Sequence, residues 1–371
     1  MRRILLLFFS FFAAAGWQLA PIRLSAQTVD ALDRPAVATQ SGEHSVLLDV
    51  TMAGNRVVAV GERGLIVYSD DQGRTWRQAS APTSVSLTRV RFATPSAGWA
   101  VGHSGAVLHT ADGGKKWTRQ LDGRTAAQLA LDAAQADAQR AGAGNAEAQR
   151  ALNDAQRLVS DGPDKPFLNL LFENDKTGYV VGAYGLIFKT EDGGATWRSW
   201  MGHVDNPRGM HIYGIVEQGN TMYLAGEQGL FLRSTDHGNK FTRVETPYKG
   251  TYFTLTLLPG GEIILGGMKG NAYRSTDQGR SFTKVEVPAP VSFSAAAVMS
   301  DGTLVFANQG GMLLASQDKG ASMRPLPSGS MPPIAGVADE GHGVLLTVGY
   351  GGVIPVPVGS MTAAGESGGA K

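Results

Sequence analysis

The chain is 371 residues long, with 18% charged residues, a formal net charge of +1, 49 glycines and no cysteine. The near-neutral balance gives no electrostatic footprint for nucleic acid, and the lack of cysteine excludes disulfides, thiolate metal sites, a cysteine nucleophile and an acylated-cysteine anchor. Ample hydrophobics with so many glycines suit an all-β body full of turns, not a disordered one.

Residues 1–26 read as a signal peptide: Arg2-Arg3 form a basic start, Ile4 to Ala15 an apolar run, and Leu24-Ser25-Ala26 a small-residue cleavage site. That run is short for a span of ~20 residues, so the expected product is periplasmic, begins near Gln27 and has no stable membrane span. Residues 27–44 are polar and mixed. From Ser45 a module of four strands can be laid out as Val46–Thr51, Arg56–Val60, Leu65–Ser69 and Thr75–Ala79.

Two tight turns punctuate that module, and both recur. Gly61-x-x-Gly64 returns as Gly102-x-x-Gly105, Gly182-x-x-Gly185, Gly226-x-x-Gly229, Gly267-x-x-Gly270, Asn308-x-x-Gly311 and Gly349-x-x-Gly352, at steps of 41, 80, 44, 41, 41 and 41 residues. The second turn, Ser69-x-Asp71-x-Gly73-x-x-Trp76, returns around Asp112, Asp192, Asp236, Asp277 and Asp318, closed by Trp117, Trp197, Phe241, Phe282 and Met323. A period near forty with strand-length apolar runs predicts a seven-bladed β-propeller of four-stranded blades over residues 45–358. The aspartates are read as structural, since such a side chain accepts backbone N–H groups of its own turn.

The long second step holds an insertion, residues 123–161, rich in Ala, Gln, Asp and Arg. It reads as an α-helical hairpin about 25 Å long. Thr125-x-x-Gln128 is a capping-box pattern for its first helix, and Asn145 a cap for the second. Ala148, Ala151, Leu152, Ala155, Leu158 and Val159 fall on one face of that second helix. The seventh module has Ala335–Ala338, Val344–Val348 and Val353–Val358 but no box and no fourth strand. Sheet edges call for cover, so residues near Pro35–Thr39 are expected to complete it. The tail, 359–371, is small and glycine-rich, and is expected to be disordered.

The Ser/Thr-x-Asp-x-Gly-x-x-Trp/Phe turns resemble Asp-boxes, the bacterial-neuraminidase-type repeats. With the Gly-x-x-Gly hairpin before each, the chain resembles the photosystem II assembly and stability factor family of propellers, over roughly residues 45 to 357 apart from the insertion. That resemblance implies a non-catalytic factor escorting a membrane complex. It does not imply a photosystem client, because relatives of this repeat type also occur in non-photosynthetic bacteria; other envelope complexes, a transporter among them, are the expected clients. It further implies a basic surface, onto which Arg56, Arg63, Arg89, Arg91 and Arg208 map loosely.

Topology sorts the loops. The second-to-third turns and the links between blades share one rim, and the Asp-boxes lie on the other. The candidate binding rim therefore carries Glu62, Arg63, His103, Tyr184, Glu227, Gln228, Lys269, Tyr350 and Arg208, together with the helical hairpin. No catalytic, cofactor-binding or metal-ligating set is assigned. A sialidase-like glycoside hydrolase would need an arginine cluster, a Tyr nucleophile from among Tyr184, Tyr213, Tyr252 and Tyr350, and a supporting Glu62, Glu217 or Glu227. The arginine-led opening motif of such enzymes is missing. His203, Asp205 and His211 match no compact metal-ligand spacing. The reading is an exported scaffold that docks a protein partner through the hairpin rim. A sialidase-like glycosidase and a carbohydrate-binding module are the alternatives.

Overall fold

The computed structural model describes residues 29–142 and 144–358; the signal peptide expected at 1–26 and the tail at 359–371 lie outside them. Seven antiparallel sheets follow one another along the chain, six with four strands and the last with three. The first strand of each sheet touches the first strands of both neighbours, and Leu47–Ala53 meets Ile334–Gly341 to close the ring. These seven strands surround the central channel, and strand order runs outward from them. Side chains between successive sheets form separate apolar clusters, such as Val58, Val60, Ile66, Val90, Leu108 and Trp117 between blades one and two. Each blade is thus held by a slice of core on either face.

The fourth strands are only two to four residues long, which keeps the outer edges short. The seventh blade solves the same problem differently. In blade one the Gly61 N–H bonds to the Leu65 carbonyl and Val60 pairs with Ile66. In blade seven Gly349 pairs with Gly352 and Val348 with Val353, one residue shorter. The Val358 N–H donates to Gly343 O (2.7 Å), so alternate residues 352, 354, 356 and 358 face the middle strand. Pro355 and Pro357 have no N–H to give. The longer turn would have asked both to donate to the middle strand; the shorter one turns them outward, where an edge lacking two donors cannot support a fourth strand.

The segment expected to complete that blade lies elsewhere. Ala36 N–H donates to Ala81 O (3.1 Å), Gln78 Nε2 to Val37 O (3.0 Å) and Thr39 N–H to Gln78 Oε1 (2.7 Å), so Pro35–Thr39 runs along the outside of blade one. It is steered there by Leu32, fully buried against Val85 and Ala106. Asp30 and Asp33 tie the same strap to Arg119 and Arg124 at 2.6–3.1 Å.

The insertion is a helical hairpin, α1 over Gly123–Ala141 and α2 over Ala146–Asp161. Its first cap is Asp122, not Thr125: the Asp122 carboxylate accepts the N–H groups of Arg124 and Thr125. Asn145 caps α2 through Glu147 and Ala148 N–H. Ala126, Ala127 and Ala130 of α1 and Leu158 of α2 enter the core between blades two and three, beside Trp99, Phe167, Leu186 and Trp197. Their small side chains let α1 lie close to the ring. Of the face expected on α2, Ala155 and Leu158 are buried and Ala148 and Leu152 half-buried, while Ala151 and Val159 are exposed. The hairpin is therefore seated at its base and exposed beyond Ala138.

Candidate functional site

On the Asp-box rim the six aspartates bond alike. In blade one the Ser69 hydroxyl donates to Asp71 Oδ1 (2.8 Å) and accepts the Gly73 N–H (2.8 Å); Asp71 then accepts the Thr75 N–H (2.8 Å) and hydroxyl (2.6 Å). Asp112, Asp192, Asp236, Asp277 and Asp318 each accept the Ser or Thr hydroxyl two residues back and the N–H four residues on. These carboxylates are consumed by their own turns.

On the opposite rim, five of the Gly-x-x-Gly tips are single 3-10 turns whose third residue is left-handed: Arg63, Ser104, Tyr184, Gln228 and Lys269 lie at φ between 52° and 56°. The turn thus fixes the backbone at that position, while the side chain stays free. Glu62 and Arg63 (blade one), His103 (blade two), Lys269 (blade five) and Tyr350 (blade seven) are each exposed on separate blades. The other four come together. Tyr184, on blade three, meets His211 at the end of the link that carries Arg208, and His211 and Arg208 reach Glu227 and Gln228 of blade four.

The residue that joins them is His211. Its ring lies 5.1 Å from that of Tyr184 and 6.2 Å from that of Tyr213, at 70° and 79°. Tyr213 meets Phe253 of blade five edge-on at 5.3 Å. Glu227 accepts the His211 N–H through Oε2 (2.9 Å), and its Oε1 lies 3.2 Å from His211 Nδ1. Burial, and then the Glu227 carboxylate, push the Tyr213 phenol above its usual range. Arg208 donates to the Gln228 side-chain carbonyl. Lys165, at the hairpin's exit, places Nζ 5.1 Å from the Tyr184 ring and is held by Asp161 and Asp164. An aromatic strip thus runs from the exposed tip of blade three to the inner strand of blade five, beside the hairpin's base.

Sequence reasoning weighed His211 only for a metal site and Tyr213 only as a glycosidase nucleophile, placed neither on the docking rim, and missed Phe253. Their signal is a β-bulge shared by all seven inner strands, which leaves Leu48, Thr88, Leu168, Tyr213, Phe253, Ser294 and Ala335 unpaired at one register position. Aligning that position exposes two adjacent aromatic residues among aliphatic and small ones.

The five arginines do not form one surface. Arg56 lies toward the Asp-box rim, bonded to Asp70 (2.6 Å) and Gly113 O (2.8 Å). Arg89 and Arg91 reach from blade two to the buried Asp49 (3.2 and 2.7 Å), and burial pulls the Arg89 guanidinium below its usual range. Arg63 and Arg208 alone stand on the hairpin rim. His203 and Asp205 are likewise engaged apart from His211: His203 Nδ1 meets Asn239 O (2.7 Å), and Asp205 the Arg243 N–H (3.4 Å).

The family model described as "Photosynthesis system II assembly factor YCF48" matches residues 76–140 and 155–320, more than half of the chain. The chain belongs to this YCF48 family. A BNR/Asp-box repeat model also matches residues 67–78. Two relatives from Synechococcus carry the family name. The "Photosystem II assembly lipoprotein Ycf48" of strain CC9902 is 30% identical over 93 residues, 24% of this chain and 28% of that protein. The "Photosystem II assembly protein Ycf48" of strain JA-2-3B'a(2-13) is 32% identical over 164 residues, 40% of this chain and 46% of that protein. The chain therefore spans less than half the length of the curated relatives it matches. Both are named as assembly proteins and neither as an enzyme.

Among solved structures, "YCF48 bound to D1 peptide" superposes with a TM-score of 0.59 at 16% identity, covering 88% of this chain and 99% of that one. "YCF48 from Cyanidioschyzon merolae" gives 0.59 at 17% identity, over 84% and 95%. The WD40 propeller of Doa1 gives 0.57 at 10%, over 88% and 96%. At these identities the likeness is one of fold. Among the described residues, no helix is long and apolar enough to cross a membrane.

Proposed function

We propose that this YCF48-family chain is an exported, non-catalytic assembly factor that docks a membrane-protein complex of the envelope through the rim bearing the helical hairpin, with a transporter as one candidate client. The observation that carries this reading is the convergence of Tyr184, Arg208, Glu227 and Gln228 beside the seated base of the hairpin. Aromatic and arginine side chains on a rigid support are what anchor protein interfaces. The family's named assembly proteins, one of them a lipoprotein and one seen with a peptide of D1, support a protein partner at a membrane. Export and a periplasmic site rest on the basic-apolar-small pattern of residues 1–26.

The test is crosslinking in the native envelope followed by recovery of this protein. Removing the whole hairpin would strip Ala126, Ala130 and Leu158 from the core, so the variant of choice replaces only residues 138–148 with a short glycine linker. The expected result is one membrane complex captured by the parent and lost, or much reduced, with the shortened hairpin and with Arg208→Ala. Equal capture by all three would sink the assigned face, and capture of no membrane complex by the parent would sink the docking function.

A further inference from the structure

The aromatic strip on the rim is a run of rings set on edge to one another. The Tyr184 and Tyr213 rings stand at 70° and 79° to the His211 ring they share. Tyr184 is 53% exposed and sits at φ 56°, a region that costs a bulky side chain about 1–2 kcal/mol. Glycine at that position would be free of this strain, so the ring is kept at a cost to the fold.

The polar groups around the strip are unbalanced. The carboxylates at hand are engaged: Glu227 directs its two oxygens to the backbone N–H and ring of His211, and Asp161 and Asp164 hold Lys165. Because the Gln228 side-chain carbonyl accepts from Arg208, its NH2 group and the other guanidinium N–H groups are left as donors. The strip is aromatic, rich in donors and without a free carboxylate. A saccharide presents hydroxyls that must give hydrogen bonds as well as take them, and the carboxylates that would take them most strongly are engaged. A proline-rich extended segment presents the complement: flat apolar rings, carbonyls at every residue and no N–H on the prolines. Aromatic-lined grooves take such preformed helices at low entropic cost.

We propose that this strip binds a proline-rich, extended segment of the partner, its pyrrolidine rings lying against Tyr184 and Tyr213 and neighbouring carbonyls accepting from Arg208 and Gln228. The inference rests on the docking reading of the same rim and names the chemistry of what docks. Its test is fluorescence anisotropy of the full-length chain with a labelled, capped decaproline peptide, against a capped Gly-Ser decamer, deca-glutamate and chitotetraose. Saturable binding of decaproline in preference to the other three is expected. Tyr184→Gly should weaken it about tenfold or more, and Arg208→Ala several-fold. Since glycine relieves the left-handed φ, Tyr184→Gly should melt no lower than the parent, so its loss of affinity could not be blamed on unfolding. No decaproline binding, tighter binding of deca-glutamate or chitotetraose, or an unweakened Tyr184→Gly variant would each overturn the proposal. The probe needs no native client. Decaproline binding without a captured complex sinks the client, whereas a captured complex without decaproline binding sinks this inference alone.

Discussion

At the scale of single residues, carboxylates do opposite things on the Asp-box rim. Burial alone would push the Asp318 carboxyl up, but the Ser322 hydroxyl (2.6 Å) and N–H (2.9 Å) and the Ser316 hydroxyl (2.7 Å) outweigh it and bring it down to about 2. A carboxyl lowered on folding stabilises above its unfolded value of 3.8, and that stability is lost as pH falls toward 2. Asp318 is exposed and solvent screens it, so Asp318→Ala should cost only about 1 kcal/mol at pH 7 in a denaturant titration, with the gap from the parent closing near pH 2. Glu217, at the end of the blade-four inner strand, runs the other way. Burial first, and then Glu173, push its carboxyl up from 4.5 to about 7. Its folded form holds the proton more tightly, so stability is fullest below pH 4.5 and falls as pH rises through 7. Glu217 is half-buried and solvent screens it, so Glu217→Gln should stabilise by only about 1–2 kcal/mol at pH 8 and by nothing at pH 4. A gain of equal size at both pH values would mean that packing, not charge, governs the site.

At the scale of elements, the sequence carried more information than its obvious repeats. The two turn motifs identify strands, blades and rims because their glycines and aspartates are demanded locally. The hairpin is legible from helix propensity and from Asn145, although Asp122 outcompeted Thr125 for the first cap by standing one residue before the helix with a carboxylate oxygen turned to its first N–H groups. Gly349-x-x-Gly352 imitates the other tips but makes a shorter turn, because Pro355 and Pro357 forbid the standard register. That was readable in the prolines. The strap was not: an edge needing cover says nothing about which segment covers it, and burial of Leu32 decided the matter. The prolines make a prediction of their own. Pro355→Thr with Pro357→Thr restores two outward donors to an edge strand that also bears Val353 and Ile354. Light scattering after gel filtration should show the double variant self-associating at concentrations where the parent is unchanged. A double variant as monodisperse as the parent would show that the prolines are not what protects this edge.

At the scale of the whole molecule, a propeller is a ring that must meet itself, and the meeting place is crowded. Inner-strand residues one register position past the bulge are Asp49, Arg89, Asn169, Gly214, Thr254, Ala295 and Gly336. Gly336 faces the closing seam: a Cβ there would lie 2.9 Å from Asp49 Cα and 2.9 Å from Val348 Cγ2, closer than packed atoms tolerate. Asp49 in turn accepts the Val90 N–H (2.9 Å) and holds Arg89 and Arg91, so the backbone that Gly336 touches also anchors the next seam. Pushing on it threatens a buried carboxylate whose partners are cationic, and displacing such a group leaves Arg89 charged and unpaired in the interior. Gly336→Val should therefore lower stability by about 3 kcal/mol or more, whereas Ala335→Val, at the half-buried bulge beside it, should cost less than about 1 kcal/mol. Hydrogen exchange would locate the damage. Protection should fall first and together in Leu47–Ala53, Leu87–Phe92 and Ile334–Gly341, and persist in Tyr252–Leu257 on the far side of the ring. A uniform loss around all seven blades would mean that the ring opens everywhere at once and that the join between its ends is no weaker than any other.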